Sequence, residues 1–337
     1  MSSLPYSPWA AISIAAALSA LALGVLESLR DRLPQDHPVE RSLHVRPMLR
    51  VGGIAIWAGF LPVALVTPVP MAGGLAWLGA WGAVVAVSLA DDWSGVRPAI
   101  RLGIQSVAAV AIAAVMGSGD GAQAFAMNNA CFVAIAAFAF VWAANLYNFM
   151  DGSDGVAAWM ALCGFAAYGA AALVAGERAD LYFALSAATL PFLLVNIPPA
   201  RAFMGDGGSV PLGFLAAVFG LAGIRAETWP AWFPLLVFLP FIADTLMTMF
   251  RRIAAGEDLF RAHKTHYYQR LHRLGAGHAG TLLFYGVLVV GTCTCAVFAL
   301  AAEPAVGWRM LGAWTAAIGV LFAGIDYHWR KGSAGQR

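Results

Sequence analysis

The fold of this chain is decided by CFVAIAAFAFVWAANLYNFMDGSDGVAAWMALCGFAAYGAAALVA, residues 131–175. Two apolar runs, Cys131–Tyr147 and Val156–Ala175, flank a polar break that holds carboxylates, an amide and glycines. Each run approaches the roughly 20 residues that an apolar helix needs to cross a bilayer. The pattern therefore predicts two membrane-spanning helices joined by a short polar turn.

The composition extends this prediction to the whole chain. Of 337 residues, 61% are hydrophobic and 11% are charged, against about 25% charged in a typical soluble domain. A net charge of +2 without a basic run argues against a nucleic-acid partner. The four cysteines lie in apolar segments without metal-type spacing, which is typical of small side chains packed between helices. We expect an all-α integral membrane protein.

Runs of comparable length recur along the sequence, and eleven of them are candidate membrane spans. The candidates are Trp9–Leu29, Val51–Val69, Gly74–Ala90, Leu102–Gly117, Cys131–Tyr147, Val156–Ala175, Leu181–Ile197, Val210–Ile224, Trp232–Phe250, Thr281–Ala301 and Trp308–Tyr327. The first run lacks the basic start and the cleavage site of a signal peptide, so it is predicted to be retained. Residues 1–337 are expected to form one polytopic domain.

The distribution of Lys and Arg predicts the orientation of the bundle. With eleven spans, only Arg178, Arg225 and Arg309 of the 20 basic residues fall on one face, and the others fall on the opposite face. Short cytoplasmic loops retain Lys and Arg. We therefore expect the N-terminus outside, the C-terminus in the cytoplasm, and a large cytoplasmic loop at residues 251–279.

Five polar segments fall on the predicted cytoplasmic face. They are RSLHVRPMLRVGG (41–53), DDWSGVRP (91–98), NFMDGSDG (148–155), FMGDGGS (203–209) and RAHKTHYYQRL (261–271). Carboxylates near a bilayer are costly and usually mark function. Because all five segments lie at helix ends in one plane, we expect them to assemble one site at the membrane surface.

The carboxylates in these segments allow a structural and a functional interpretation. Asp91 and Asp92 could be helix-terminating acids balanced by nearby arginines, or they could hold a divalent cation or supply a base. Asp151 and Asp154 could serve only as turn and N-cap residues. Turn chemistry does not account for Asn145 and Asn148, which precede them at the same three-residue spacing and share a helix face.

The last two segments suggest phosphate chemistry. Asp206 lies among glycines at a helix start, where backbone N–H groups favour anions and a carboxylate suits Mg²⁺. His263, Lys264, His266 and Arg270 could form a solvated helix face or a phosphate clamp. Together the segments favour a hard cation, a soluble phosphorylated substrate and a lipid substrate.

With these residues in place, the chain resembles the polyprenyl-phosphate N-acetylhexosamine-1-phosphate transferases, a family that includes the phospho-MurNAc-pentapeptide translocase. The loop 41–53 looks like RSxHxxPTPRxGG, and DDWSGVRP looks like DDxxxxxP. NLYNFMDGSDGVA is similar to NxxNxxDGxDGLA, PPARAFMGDGGSVPLGF to PPAKxFMGDxGSxxLG, and PFIADTLMTMFRR to PxxDTxxxxxRR. The similarity extends roughly from Arg41 to Leu271.

The resemblance implies that a UDP-N-acetylamino sugar donates its sugar 1-phosphate to undecaprenyl phosphate, with Mg²⁺ required and Mn²⁺ as an alternative. It implies a bacterial inner-membrane enzyme that initiates O-antigen or another envelope polysaccharide, and it is compatible with a homodimer. The implied catalytic residues are Asp91, Asp92, Asp151 and Asp154. The implied metal ligands are Asp206, Asp92 and Asp154. The implied substrate-binding residues are Asn145, Asn148, Arg50, His263, Lys264, His266 and Arg270.

Three departures from the family pattern concern the sugar. The usual HxHH reads HYYQ at residues 266–269, which resembles the branch that initiates O-antigen. Met48 replaces a hydroxyl residue, and the segment LPQDHPVERS lacks the PNxRS spacing. Two other classes of protein fit the sequence less well. A secondary transporter would need more acids within the spans than Asp244, and a membrane scaffold would not need glycine-framed aspartates.

Overall fold

A computed structural model of the protein describes residues 8–33, 35–36, 48–67, 76–118, 128–258 and 263–334. In this part of the chain, almost every element is helical. The helices are α1 (Pro8–Ser28), α2 (Gly52–Val66), α3 (Ala76–Ser94), α4 (Pro98–Gly117), α5 (Asn129–Met150), α6 (Val156–Val174), α7 (Asp180–Asn196), α8 (Asp206–Arg225), α9 (Trp232–Val237), α10 (Leu239–Ala254), α11 (Tyr267–Leu271), α12 (Gly277–Ala299) and α13 (Pro304–Ala334).

The predicted class is confirmed, and the protein is an all-α multi-pass membrane protein. Most of the described residues of each of the eleven predicted spans lie in a helix or, for the ninth, in a pair of helices. Within the described ranges, seven helical segments are long and apolar enough to cross a membrane, and two shorter helices, α2 and α7, are also apolar. Orientation relative to a membrane stays a prediction.

Local sequence explains where the helices around the decisive stretch begin and end. The side chain of Asn128 accepts the N–H of Cys131 at 2.8 Å and caps the start of α5. After α5, the chain turns through residues 151–155, and Gly155 adopts φ +77° before α6 begins. That left-handed conformation is costly for any residue with a Cβ. The polar break is therefore a tight turn, as predicted.

Two predicted boundaries differ from the structure. The ninth span is divided at Phe238 into α9 and α10, with Pro240 in the first turn of α10, where its missing N–H costs least. The predicted loop at 251–279 is partly helical, because α10 continues to Ala254 and the chain is helical again from Tyr267. Residues 259–262 of that loop lie outside the described residues.

Helix α8 lies in the centre of the bundle, between α3 and α5. Its glycines permit this close packing, because a Cβ on Gly213 would overlap the backbone at Ala143 and the Cβ of Tyr147. The buried aromatic rings of Tyr168, Tyr182 and Phe219 continue the core from α8 toward α6 and α7. The N-terminus of this central helix carries Asp206.

The sequence did not predict a small sheet that ties three distant segments together. It consists of β1 (Gln35–Asp36), β2 (Met48–Arg50) and β3 (Ala202–Phe203), with β1 antiparallel and β3 parallel to β2. Arg50 pairs in register with Phe203, three residues before Asp206. The sheet therefore brings Arg50 to the start of α8. Residues 41–47 of the predicted 41–53 loop lie outside the described residues.

Candidate active site

Three helix ends meet at the N-terminus of α8 through an arginine. Arg101, in the first turn of α4, donates to Asp91 near the end of α3. The same guanidinium nitrogen donates to Asp206 at 2.6 Å. Arg101 was not predicted as a site residue, although its position shortly after the Asp91–Asp92 pair was visible in the sequence. Arg101 therefore holds Asp91 and Asp206 close together, although their two carboxylates would otherwise repel each other.

Asp92 fixes the first turn of α8. Its carboxylate accepts the N–H groups of Asp206 at 3.0 Å and Gly207 at 2.7 Å, and Arg50 lies 3.7 Å from it. The side chain is only 3% exposed. Asp92 lies beyond the end of the predicted span at Ala90, and burial raises its pKa to about 6, with Asp206 adding to the increase and the two backbone N–H groups opposing it. This pKa leaves Asp92 ready to titrate near neutral pH.

Asn148 and Asp151 extend the cluster from the end of α5. Ser209 donates to the side-chain oxygen of Asn148 at 2.6 Å, and the amide of Asn148 lies 3.5 Å from Asp206. Burial raises the pKa of Asp151 well above its usual range, and the negative charges of Asp206 and Asp92 raise it further. The sequence had placed Asn148, Asp151 and Asp206 in one site, and these interactions bring them together.

The cluster has an excess of negative charge. The cluster contains two guanidinium groups, those of Arg50 and Arg101. It contains four carboxylates, those of Asp91, Asp92, Asp151 and Asp206. Among the described residues, no three His, Cys, Asp or Glu side chains are arranged to hold a metal on their own. Mg²⁺ usually takes only one or two protein carboxylates and completes its shell with water and substrate phosphates. The oxygen donors and the charge excess therefore fit Mg²⁺.

The other two polar residues of the decisive stretch have different partners. Asn145 donates to the side-chain oxygen of Gln105 at 2.9 Å and to the carbonyl of Val141 at 2.8 Å, so it links α4 to α5. Asp154 accepts the N–H of Ala200 at 3.0 Å and lies 3.4 Å from Nδ1 of His278. These contacts favour a positioning role for both residues. The three-residue spacing therefore does not bring all four side chains to the same partners.

The histidine segment adjoins the end of α5. The ring of His266 lies 6.1 Å from that of Phe149, and Tyr268 donates its hydroxyl to the carbonyl of Phe149 at 3.1 Å. His263 stacks on His266 at 4.9 Å. Burial, together with the nearby His266 and Arg252, lowers the pKa of His263 to about 4, so this ring is neutral at pH 7.

A polar cavity of about 640 Å³ opens beside His263. Its lining is Arg252, Gly256, Glu257, Asp258, His263, Lys264, Thr265 and Arg273. The predicted cation Lys264 therefore lines a space that could receive phosphate groups. Arg270 does not line it. Arg270 pairs with Asp326 of α13 at 2.5 Å and lies against the rings of Tyr267 and Trp329, which favours a structural role over the predicted substrate contact.

An almost wholly apolar groove runs along α5 and α8 toward this site. Its volume is about 350 Å³, and its walls include Phe132 near the start of α5 and Tyr147 near the end. On the opposite wall it extends along α8 from Gly213 to Ile224. Tyr147 directly precedes Asn148, and Gly213 lies four residues after Ser209, so the inner end of the groove lies about one helical turn from the polar cluster. Apolar chains are the natural occupants of such a groove.

Asp244 lies within a predicted span, and the sequence alone did not predict a role for it at the site. Asp244 is fully buried and accepts Nδ1–H of His266 at 3.0 Å. An ionisable residue inside a membrane span is by default a candidate for function. Ser209 was also missed, because a serine after glycines carries no signal of its contact with Asn148.

Comparison with known proteins identifies relatives of this chain. Residues 75–224 match the model of glycosyl transferase family 4. The chain is 28% identical to the decaprenyl-phosphate N-acetylglucosaminephosphotransferase of Mycobacterium tuberculosis (strain ATCC 25618 / H37Rv), over 93% of this chain and 89% of the relative. It is 28% identical to the undecaprenyl-phosphate alpha-N-acetylglucosaminyl 1-phosphate transferase of Yersinia pestis, over 71% and 70%. It is 32% identical to the phospho-N-acetylmuramoyl-pentapeptide-transferase of Streptococcus thermophilus (strain ATCC BAA-250 / LMG 18311), over 42% and 43%. The resemblance predicted from the motifs is confirmed.

Proposed function

Because the chain carries a glycosyl transferase family 4 region, we propose that it transfers the 1-phosphate of an N-acetylamino sugar from a UDP-sugar to undecaprenyl phosphate. An oxygen of the lipid phosphate attacks the phosphorus that bears the sugar. The bond from this phosphorus to the oxygen shared with the uridylyl phosphate breaks. UMP leaves with the electron pair, and the lipid carries the sugar through a diphosphate.

One observation carries the proposal. Carboxylates from the ends of α3 and α5 and from the start of α8 lie near Arg101, about one helical turn from the inner end of an apolar groove. This arrangement suits a substrate whose phosphate lies at a polar surface while its hydrocarbon chain lies between helices. Phosphoryl transfer requires positioning and charge neutralisation more than covalent chemistry from the protein.

The residues divide naturally between the two substrates. The phosphate of the lipid would meet Arg101 and Arg50, and Asp91 or Asp92 would serve as the base that keeps it ionised. Asn148, Asp151 and Asp206 would hold Mg²⁺ or Mn²⁺, which when bound neutralises phosphate charge. The donor diphosphate would lie toward His266 and the cavity that Lys264 lines.

The cellular setting is part of the same proposal. The basic residues at the site end of the bundle support a cytoplasmic active site in a bacterial inner membrane. The HYYQ segment supports a donor of the kind used to initiate O-antigen or another envelope polysaccharide. A homodimer also belongs to the proposal, and the mass of the purified protein in detergent, measured by light scattering, tests it.

Release of UMP by the purified protein tests the reaction. Undecaprenyl phosphate and Mg²⁺ are supplied with a panel of UDP-N-acetylglucosamine, UDP-N-acetylgalactosamine and UDP-linked deoxyamino sugars. We expect one member to give UMP and an equal amount of lipid-linked sugar diphosphate, detected by mass spectrometry. Controls omit the lipid or Mg²⁺. No UMP across the panel, or UMP release that does not require the lipid, contradicts the proposal.

A further inference from the structure

We propose that Asp244 is a positioning residue that orients His266 toward the donor diphosphate; this inference rests on the proposed function. Asp244 belongs to α10, and His266 immediately precedes α11. The two residues lie 22 positions apart in the sequence, and the Nδ1 atom of His266 is 3.0 Å from a carboxylate oxygen of Asp244.

The carboxylate of Asp244 is buried, and both of its oxygens accept hydrogen bonds. Its first oxygen receives His266, the N–H of Tyr267 at 3.0 Å and the hydroxyl of Thr248 at 3.1 Å. Its second oxygen receives the N–H of Tyr268 at 3.0 Å and the hydroxyl of Tyr285 at 2.5 Å. The side chain is 0% exposed. A buried carboxylate is tolerated only when donors satisfy it in this way.

These contacts define which ring nitrogen of His266 remains for a substrate. Five donors converge on Asp244, so the group is a carboxylate that can only accept hydrogen bonds. Nδ1 of His266 must therefore carry a hydrogen and point it at Asp244. Any contact of His266 with a substrate phosphate is consequently made from the Nε2 edge of the ring. An acid behind a histidine commonly fixes its tautomer and orientation in this manner.

The rings around His266 leave it little freedom and place it at the site. His263 stacks on one side, and the rings of Phe149 and Tyr268 lie within 6.1 Å. Phe149 directly follows Asn148, which contacts Asp206. Asp244 thus connects the interior of α10 to the edge of the carboxylate cluster through a single histidine.

A purely structural role for Asp244 makes a different prediction. The same carboxylate accepts backbone N–H groups of Tyr267 and Tyr268, so its loss could simply loosen the start of α11. Loosening would impair both substrates and would occur with or without His266. Positioning, in contrast, acts through His266 and affects the donor alone.

A double-mutant cycle separates these roles. Asp244→Asn preserves shape but offers an amide that can present its N–H₂ to Nδ1 and select the wrong tautomer. We expect it to raise the KM and the dissociation constant for the UDP-sugar about 10- to 100-fold, the scale of a small misplacement, with the KM for undecaprenyl phosphate unchanged. In a His266→Ala background, Asp244→Asn should change the UDP-sugar dissociation constant less than about threefold, because contacting residues couple.

The control is Asp180→Asn, which alters another buried aspartate that pairs with Arg178 at 3.0 Å at the start of α7. It should leave both KM values unchanged. If Asp244→Asn lowers Tm more than this control, Tyr285→Phe separates stability from positioning, because it removes one donor and keeps the carboxylate with its contact to His266. Tyr285→Phe should lower Tm and leave the KM for the UDP-sugar unchanged, and a rise in that KM as large as that of Asp244→Asn overturns the positioning role. Additive effects in the cycle, or an equal rise in both KM values, overturn the positioning role while wild-type UMP release persists. Absence of wild-type UMP release overturns the proposed function instead, and this inference with it.

Discussion

Asp206 lies where the ends of α3, α4 and α5 meet the start of α8. It begins the central helix, it receives Arg101 at 2.6 Å, and the amide of Asn148 lies nearby. We expect Asp206→Asn to reduce the kcat of UMP release about 100-fold or more, the size typical of removing a preorganised electrostatic contact. Titration with Mg²⁺ measures the effect, because the loss of a ligand also raises the Mg²⁺ concentration needed for half-maximal turnover. Near-normal turnover at low Mg²⁺ would exclude Asp206 as the ligand.

The second prediction for a single residue concerns Asp92 and the pH dependence of kcat/KM. Burial raises its pKa from 3.8 to about 6, so the group gains a proton as the pH falls through about 6. If the carboxylate form is required, kcat/KM falls below that pH with a slope of one proton. Bound Mg²⁺ competes with protonation, so more Mg²⁺ should move the midpoint to lower pH. A kcat/KM that stays flat from pH 7.5 to 5 would show that ionised Asp92 is not needed.

At the scale of elements, the start of α2 and the start of α8 pack backbone to backbone. Gly53 donates its N–H to the carbonyl of Met204 at 3.0 Å, and a Cβ on Gly53 would overlap the backbone of Gly207 and Gly208. We expect Gly53→Ala to push these elements apart, to cost about 1–3 kcal/mol, and to lower Tm and activity together. Thermal unfolding in detergent measures the effect.

The matched control is a glycine in the first turn of a helix, with open space around it. Gly79 of α3 has no atom within 4 Å of an added Cβ. Gly79→Ala should leave activity unchanged and stabilise the helix by about 0.5–1 kcal/mol. Equal Tm values for Gly53→Ala and the wild type would mean that the two helix starts do not need this close contact.

The sequence predicts the helices better than the contacts between them. The apolar runs and the turn at 151–155 are local signals, because hydrocarbon length and turn chemistry act on neighbouring residues. The pairing of Arg50 with Phe203 joins segments about 150 positions apart, and the contact of Asp244 with His266 joins two helices. Neither is encoded by spacing, so the sequence alone grouped the correct segments without showing which side chains meet.

The polar residues between Asn145 and Asp154 show the same difference between local signals and contacts across the fold. The sorting of polar loops onto one predicted face grouped Asn148 and Asp151 with Asp206. In the structure the amide of Asn148 lies 3.5 Å from Asp206, and the negative charge of Asp206 raises the pKa of Asp151. It could not show that Asn145 turns to Gln105 of α4, since that contact depends on how α4 packs against α5. The functional core of the stretch is therefore smaller than its spacing suggests.

In the whole molecule, the inner end of the apolar groove lies close to the polar cluster. The groove follows α5 from Phe132 to Tyr147, and the cluster begins at the next residue. A soluble donor needs only the polar end, whereas a polyprenyl acceptor needs both. The two substrates should therefore respond differently to changes far from the carboxylates.

Filling the groove tests that division. Ala139 lines the groove, so Ala139→Trp should displace part of the acceptor chain. Losing about two buried methylene contacts, at about 0.8 kcal/mol each, should raise the KM for undecaprenyl phosphate roughly tenfold. The KM for the UDP-sugar should not change, and a short prenyl phosphate that does not reach Ala139 should be affected less. Ala134→Trp, on an exposed face of α5 outside the groove lining, is the control. If both variants behave like the wild type, the acceptor chain lies elsewhere, and the groove does not bind it.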